Sequence, residues 1–372
     1  MADRQTQEKD IDLVLVTGAG ASHEFGVNHS TMPLMSAWSD ALVDKIGKSS
    51  WAYLEATGLT KDLSGPAFEQ RLGRFLQMAQ ALPQVDQVLK PSLVFQAPPP
   101  NLNEQSLHQW HQNAMFHVGK ITSLIHESLY EAFSYEHMDL DAAAQAYGML
   151  LGQLAINNTH SMVYATTNYD LVGEYVIERL GGLPDWGERH NLMNQGESPL
   201  RVERLLDGMP RYVPVLHLHG RIGWYLRDGR PISANITRHA EGFGIPIVML
   251  PDPDKDYDFN PVIFSLWSQF EEALHRARRV LVLGHSLNDR SLIEALRQNV
   301  TPAERVAVTV LGESGQPAVI ASDTGTVSEI LSQNLPSASI IPIYFAQNSV
   351  SIEEAVTTWN NRLARAIDRR PT

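Results

Sequence analysis

The chain contains no cysteine. A disulfide framework, a thiolate nucleophile, an iron–sulfur cluster and a cysteine-ligated zinc are therefore all excluded. Positive charge is also scarce: 29 Lys and Arg stand against 42 Asp and Glu, a formal net charge of −13. Such a balance provides no global attraction to a nucleic-acid backbone or an anionic membrane, and neither is expected as a partner. Long apolar runs are missing too. No stretch approaches the ~18 residues a transmembrane helix needs, and residues 1–10 are polar with mixed charge, so a cytoplasmic protein is expected. No G-x-x-x-x-G-K-[ST] segment occurs, which removes the P-loop class of phosphate site.

What is present is the composition of a globular protein, 43% hydrophobic and 19% charged over 372 residues. That length suits one large domain or two ordinary ones and buries a core without staples. Short, β-branched apolar runs occupy 11–16, 162–166, 213–218, 280–283, 306–311 and 340–344, each bounded by Gly, Pro, Asn or Asp. They are near-continuous in apolarity, as strands buried on both faces of a parallel sheet are. A seventh candidate, 245–250, is flanked and interrupted by prolines.

Between the first two runs the periodicity is helical. Phe68, Leu72, Phe75, Leu76, Ala79 and Leu82 form one stripe; Leu107, Trp110, Ala114, Val118, Ile121, Ile125 and Leu129 form a second over 104–133. A third, over 141–155, carries Ala143, Tyr147, Leu150, Leu151 and Leu154. The expected fold is α/β, a Rossmann-like parallel sheet of about six strands with a helical insertion after the first βα unit. Residues 1–50 and 160–372 are assigned to the Rossmann-like domain and 51–159 to the insertion.

Four polar clusters follow predicted strands, where ligands bind in open α/β sheets. Gly18, Ala19, Gly20 and Ser22 form the first. Small residues there let backbone approach a pyrophosphate, with the N–H groups of the following helix start facing it, although His23 stands where a G-x-G-x-x-G fingerprint needs its third glycine. A plain tight turn reads equally well. The second is Thr166, Thr167, Asn168 and Asp170, ligand contacts or, for Asn168 and Asp170, helix caps. The third is His217, His219 and Gly220. Alternation sends both histidines to one face, but spacing supplies no third ligand for a metal. His219 is the better general base, since its ordinary pKa lies near working pH. The fourth is Gly284, Ser286 and Asp289, able to contact a ribose or phosphate, or to form a turn and a helix cap. The convergence of four such clusters at the exits of one sheet is the signal.

This ordered set resembles the sirtuin family, in which a GAG-x-S loop binds the dinucleotide and a T-Q-N-x-D segment holds the nicotinamide ribose. An L-H-G segment supplies the histidine there, and a later glycine–serine turn contacts the adenosine side. The matches are Gly18, Ala19, Gly20 and Ser22; Thr166, Asn168 and Asp170; His219 and Gly220; Gly284 and Ser286. Thr167 replaces the usual glutamine, and without cysteine the zinc ribbon of the deacylases cannot form; residues 221–241, its place, offer only His239. The chain is more similar to the zinc-free sirtuin-like domains of bacterial antiphage defence. That likeness implies an NAD+ hydrolase that depletes NAD+ as a consumed substrate and needs no metal. Asn168, His219 and Asp170 would be catalytic, and Gly18, Ala19, Gly20, Ser22, Thr166, Thr167, Gly284, Ser286 and Asp289 would bind the dinucleotide. It also implies a homo-oligomer and a HerA-type ATPase partner. A protein deacylase or ADP-ribosyltransferase, and a non-catalytic NAD or ADP-ribose binding module, are the alternatives.

Overall fold

The structure is a computed structural model that describes residues 11–23, 25–26, 42–46, 51, 67, 70–75, 104–133, 135–154, 156, 161–187, 198–207, 212–234, 244–249, 260–287, 289–310, 327–342 and 349–368. Its centre is a sheet of seven parallel strands: β1 (Ile11–Thr17), β2 (Met162–Thr166), β3 (Leu183–Asp185), β5 (Tyr212–His217), β9 (Ala277–Leu283), β10 (Val306–Val310) and β11 (Ser339–Pro342). They lie in the order β11-β10-β9-β1-β2-β5-β3. All six predicted runs are in it. The seventh member is instead β3, a three-residue edge strand whose Leu183 is exposed and whose Pro184 gives no apolar signal.

The predicted seventh strand belongs to a second, antiparallel sheet. Here β4 (Ser198–Pro199), β6 (Gly220–Arg227), β7 (Arg230–Ser233) and β8 (Ile245–Val248) lie in the order β4-β7-β6-β8. The β6–β7 hairpin turns through Asp228 and Gly229, both at positive φ (51° and 73°), the Asp-Gly signature of a two-residue loop whose twist matches its strands. Its Trp224 and Tyr225 are buried, and the Tyr225 hydroxyl meets His126 Nδ1 at 2.6 Å. Aromatic packing and a tie to a helix hold this sheet against α2. His239 lies outside the described residues.

The insertion is helical as expected: α2 (Glu104–Phe133) and α3 (Leu140–Gln153) follow a first short helix, α1 (Gly20–His23). Val118, Ile121, Ile125 and Leu129 of the second stripe are buried, as is the whole α3 stripe, together with Leu72 and Phe75 of the first. Phe68, Leu76, Ala79 and Leu82 lie outside the described residues. These side chains join the same hydrophobic core as the sheet, with Phe133 edge-on to Tyr169 and Phe25 against Tyr147. Helices α4 (Val172–Arg179), α5 (Pro261–Arg276), α6 (Arg290–Asn299), α7 (Val327–Asn334) and α8 (Ser349–Asp368) complete the order. No helix among the described residues is long and apolar enough to cross a membrane.

The chain runs from β1 outward through β2 and β5 on one side and from β9 outward through β10 and β11 on the other. The switch point of the sheet therefore falls between β1 and β9, where a ligand crevice is expected.

Candidate active site

Register places the four clusters on one row. Leu283 pairs with Thr17, Thr17 with Thr166, and Thr166 with His217, so β9, β1, β2 and β5 end level with one another. Three interstrand spacings make that row about 14 Å across. All four clusters leave the sheet from it.

At the switch point the first and fourth clusters interlock. The Gly18 N–H donates to the Leu283 carbonyl at 3.0 Å and the Gly20 N–H to the Gly284 carbonyl at 2.9 Å. A Cβ on Gly18 would lie 2.8 Å from the Gly284 oxygen, and one on Gly284, whose φ is +62°, would run into the Ala21 backbone. Two turns approach so closely only as glycines. The N–H groups of Ala21 and Ser22 turn back to the Gly18 and Ala19 carbonyls. The sequence reading aimed such amides at a pyrophosphate. Those of Gly18 and Gly20 instead brace the two strand exits, because the turn is pressed against its neighbour, and those of Ala21 and Ser22 close the turn itself. What Gly18, Ala19 and Gly20 offer a ligand is close approach to backbone.

The second cluster is fastened to the first. Asn168 Nδ2 donates to the Gly18 carbonyl at 3.0 Å and to Ser22 Oγ at 3.1 Å, while the Asn168 N–H donates to Thr166 Oγ1 at 3.0 Å. A carbonyl accepts only, so the amide nitrogen must face Gly18, and both its hydrogens are engaged. The side chain offers a substrate its acceptor, Oδ1. The Thr167 N–H and hydroxyl both donate to the Thr17 carbonyl, at 3.0 and 3.3 Å. Ser22 also bonds the buried carboxyl of Asp170, whose Oδ1 accepts the Val172 N–H at 3.1 Å. Burial pushes that carboxyl up from its ordinary range, with Glu174 adding to the rise and Ser22, Val172 and His217 opposing it. Neither of the two caps considered for α4 holds the N-cap position, which is Leu171 without a side-chain cap bond; Asp170, one residue earlier, takes the Val172 N–H. Asp170 stands behind Ser22 and Asn168.

In the third cluster the two histidines part company. His217 Nε2 meets Glu174 Oε1 of α4 at 3.1 Å, and Arg221 Nε donates to the same oxygen at 2.6 Å, its guanidinium lying 5.1 Å from the centre of the Trp186 ring. His219 Nε2 meets Asp289 Oδ2 at 2.8 Å. The same-face expectation fails because the chain leaves β5 at His217 and turns sharply at Gly220, with φ +83°, where a Cβ would strike the Ile247 carbonyl. The two rings do not converge on a common ion. Among the described residues no group of three or more His, Asp or Glu is arranged to hold a metal.

Asp289 works on both sides. Its Oδ1 accepts the Ser291 and Leu292 N–H groups at 3.0 and 3.4 Å as the cap of α6, and its Oδ2 reaches His219. Ser286 is half-buried in the same turn, beside Leu287 at φ 59°. Sequence reading missed Glu174. Its signal was a carboxylate between Val172 and the Val176–Ile177 pair, on the apolar face of a short helix.

No family model matches the sequence, and no curated protein does. Two solved structures align along nearly the whole chain. One is a triple mutant of a Sir2 homologue in complex with 2′-O-acetyl-ADP-ribose, 15% identical, covering 95% of this chain and 93% of its own, with a TM-score of 0.36. The other is a single mutant of a Sir2 homologue in complex with ADP-ribose, 13% identical, covering 98% of each, with a TM-score of 0.32. The superpositions are loose.

Proposed function

We propose that the protein is an NAD+ hydrolase that releases nicotinamide and ADP-ribose. The observation that carries this reading is the pairing of Thr166 with His217, which sets Asn168 and His219 each two residues beyond one rung of the sheet, beside the glycine-lined switch point. That is a rigid mount for two polar groups of complementary chemistry.

Hydrolysis breaks the bond between ribose C1′ and the nicotinamide nitrogen. The bonding pair leaves with the nitrogen and neutralises its positive charge, so no acid is required. The ribose becomes oxocarbenium-like and a water adds to C1′, losing one proton. Asn168 Oδ1 accepts from that water or from a ribose hydroxyl, and its engaged Nδ2 keeps it from swinging away. His219 takes the proton. Asp170 acts one step removed, through Ser22. Gly18, Ala19, Gly20, Gly284 and Ser286 line the dinucleotide path, with Thr166 and Thr167 shaping the β2 exit.

A deacylase reading needs an acyl-peptide groove usually built in part on a cysteine-ligated zinc module, and the chain has no cysteine. The resemblance to defence proteins extends the proposal to a regulated effector that depletes NAD+ during phage infection, as a homo-oligomer with a HerA-type ATPase. The test is turnover by Asn168→Ala and His219→Ala, each expected to stay folded and lose at least about a hundredfold, the effect of removing a positioned polar group. Near wild-type hydrolysis by either variant overturns the assignment.

A further inference from the structure

We propose that Asp289 is the positioning residue of His219 and fixes which ring nitrogen carries the proton, an assignment that rests on the hydrolase reading above. A helix cap needs one oxygen, and Ser, Thr or Asn supplies it as well as Asp does. Asp289 uses Oδ1 for that purpose and directs Oδ2 at His219 Nε2, with both side chains more than nine-tenths buried. An ionised carboxylate only accepts hydrogen bonds, so the facing nitrogen must donate. The neutral ring is therefore held as the Nε2–H tautomer. With Nε2 given to Asp289, proton transfer to a substrate runs through Nδ1.

The carboxylate is immobile because the two N–H groups of α6 hold its other oxygen. The ring is immobile because the strand exit is clamped on both sides. The Met249 N–H donates to the His219 carbonyl at 2.7 Å, and Trp267 Nε1 of α5 donates to the Leu218 carbonyl at 3.0 Å. Helix α5 also packs on α6, so one element holds both partners in register. When His219 takes the proton released as water adds to C1′, the imidazolium formed lies against a negative charge already in place. The proton then leaves to solvent and the neutral tautomer is restored.

Asp289→Asn separates capping from positioning. Its Oδ1 caps α6 as before, which leaves an amide donor facing Nε2, so the ring must accept there and carry its proton at Nδ1. A carboxylate-to-amide change behind a catalytic histidine inactivates by this route in serine proteases. The experiment is 15N spectroscopy of histidine-labelled protein, the His219 signal identified by its loss in His219→Gln, combined with NAD+ kinetics. Expected are the Nε2–H tautomer in wild type, the Nδ1–H tautomer in Asp289→Asn, and at least about a hundredfold fall in kcat with KM for NAD+ changed less than about twofold. The same tautomer in both proteins, or wild-type kcat in the variant, overturns the assignment. If wild type releases no nicotinamide, the hydrolase reading fails, while the tautomer comparison still decides the role of Asp289.

Discussion

Two histidine–carboxylate pairs begin two residues apart in the chain and do different work. His217 with Glu174 and His219 with Asp289 have similar nitrogen–oxygen distances, 3.1 and 2.8 Å. The difference is what else the carboxylate holds. Glu174 also takes the Arg221 guanidinium and is sealed among Trp186 and the strand end, so its charge is balanced locally. Asp289 takes two backbone amides on one oxygen and His219 on the other. On the proposed hydrolase reading, the first pair holds structure and the second accepts a proton. Chemical identity of the residues does not distinguish them; the third partner does.

The comparison is broken most severely at Glu174. Glu174→Ala leaves Arg221 buried without its carboxylate and should cost about 3–5 kcal/mol of stability, measured by denaturant unfolding. A loss below about 1 kcal/mol would show that the pair does not hold structure. A division of effects between the two rings comes next. His219→Ala should lower NAD+ turnover by a hundredfold, about 2.7 kcal/mol of transition-state stabilisation, with little change in the unfolding midpoint. His217→Ala should do the reverse, and equal loss of turnover in both would dissolve the distinction.

Acid sharpens the contrast further. Burial pushes the Glu174 carboxyl up, but the charges of His217 and Arg221 and their hydrogen bonds outweigh it and hold it down at about 2, against an ordinary value of 4.5. A folded-state value below the unfolded one contributes stability that is full above pH 4.5 and is lost as pH falls toward 2. Asp170 runs the other way, since its raised value favours the folded state below its unfolded pKa and that contribution is lost as pH rises through the folded value. Acid titration of stability should therefore be shallower in Glu174→Gln than in wild type, and an unchanged slope would contradict the local balance of charge.

The smallest effect is expected at the tyrosine–histidine contact between the small sheet and α2. Tyr225→Phe removes the bond to His126 and should cost about 1 kcal/mol, the net worth of an ordinary buried hydrogen bond. A cost as large as that of Glu174→Ala would mean that the tie between the small sheet and α2 matters far more than a single hydrogen bond.

The six principal strands were legible because parallel strands covered on both faces read as continuous apolar runs. Strand β3 was not, since three residues that include an exposed leucine and a proline carry no such pattern. The 245–250 run was read as a strand but not as an antiparallel one, because pairing partners are not written in apolarity. The position of the four clusters at strand exits was legible because each directly follows one of the apolar runs. Their connections were not. His219 and Asp289 are 70 residues apart, and Glu174 and His217 are 43 apart. Packing of α4, α5 and α6 against the sheet decides those distances, and no local spacing encodes it. The direction of Asn168 was equally hidden, since its amide could have capped α4 and instead fastens β2 to the Gly18 turn.

The central claim is that this site hydrolyses NAD+ with water as the acceptor, and the direct test is a time course of NAD+, nicotinamide and ADP-ribose. Purified protein is followed alone, with an acylated peptide, and with the product of its genomic neighbour. The account predicts nicotinamide and ADP-ribose in equal amounts, no dependence on peptide, insensitivity to EDTA, and loss of both products in His219→Ala. Intact NAD+ under every condition, or nicotinamide release that requires the peptide, would contradict it.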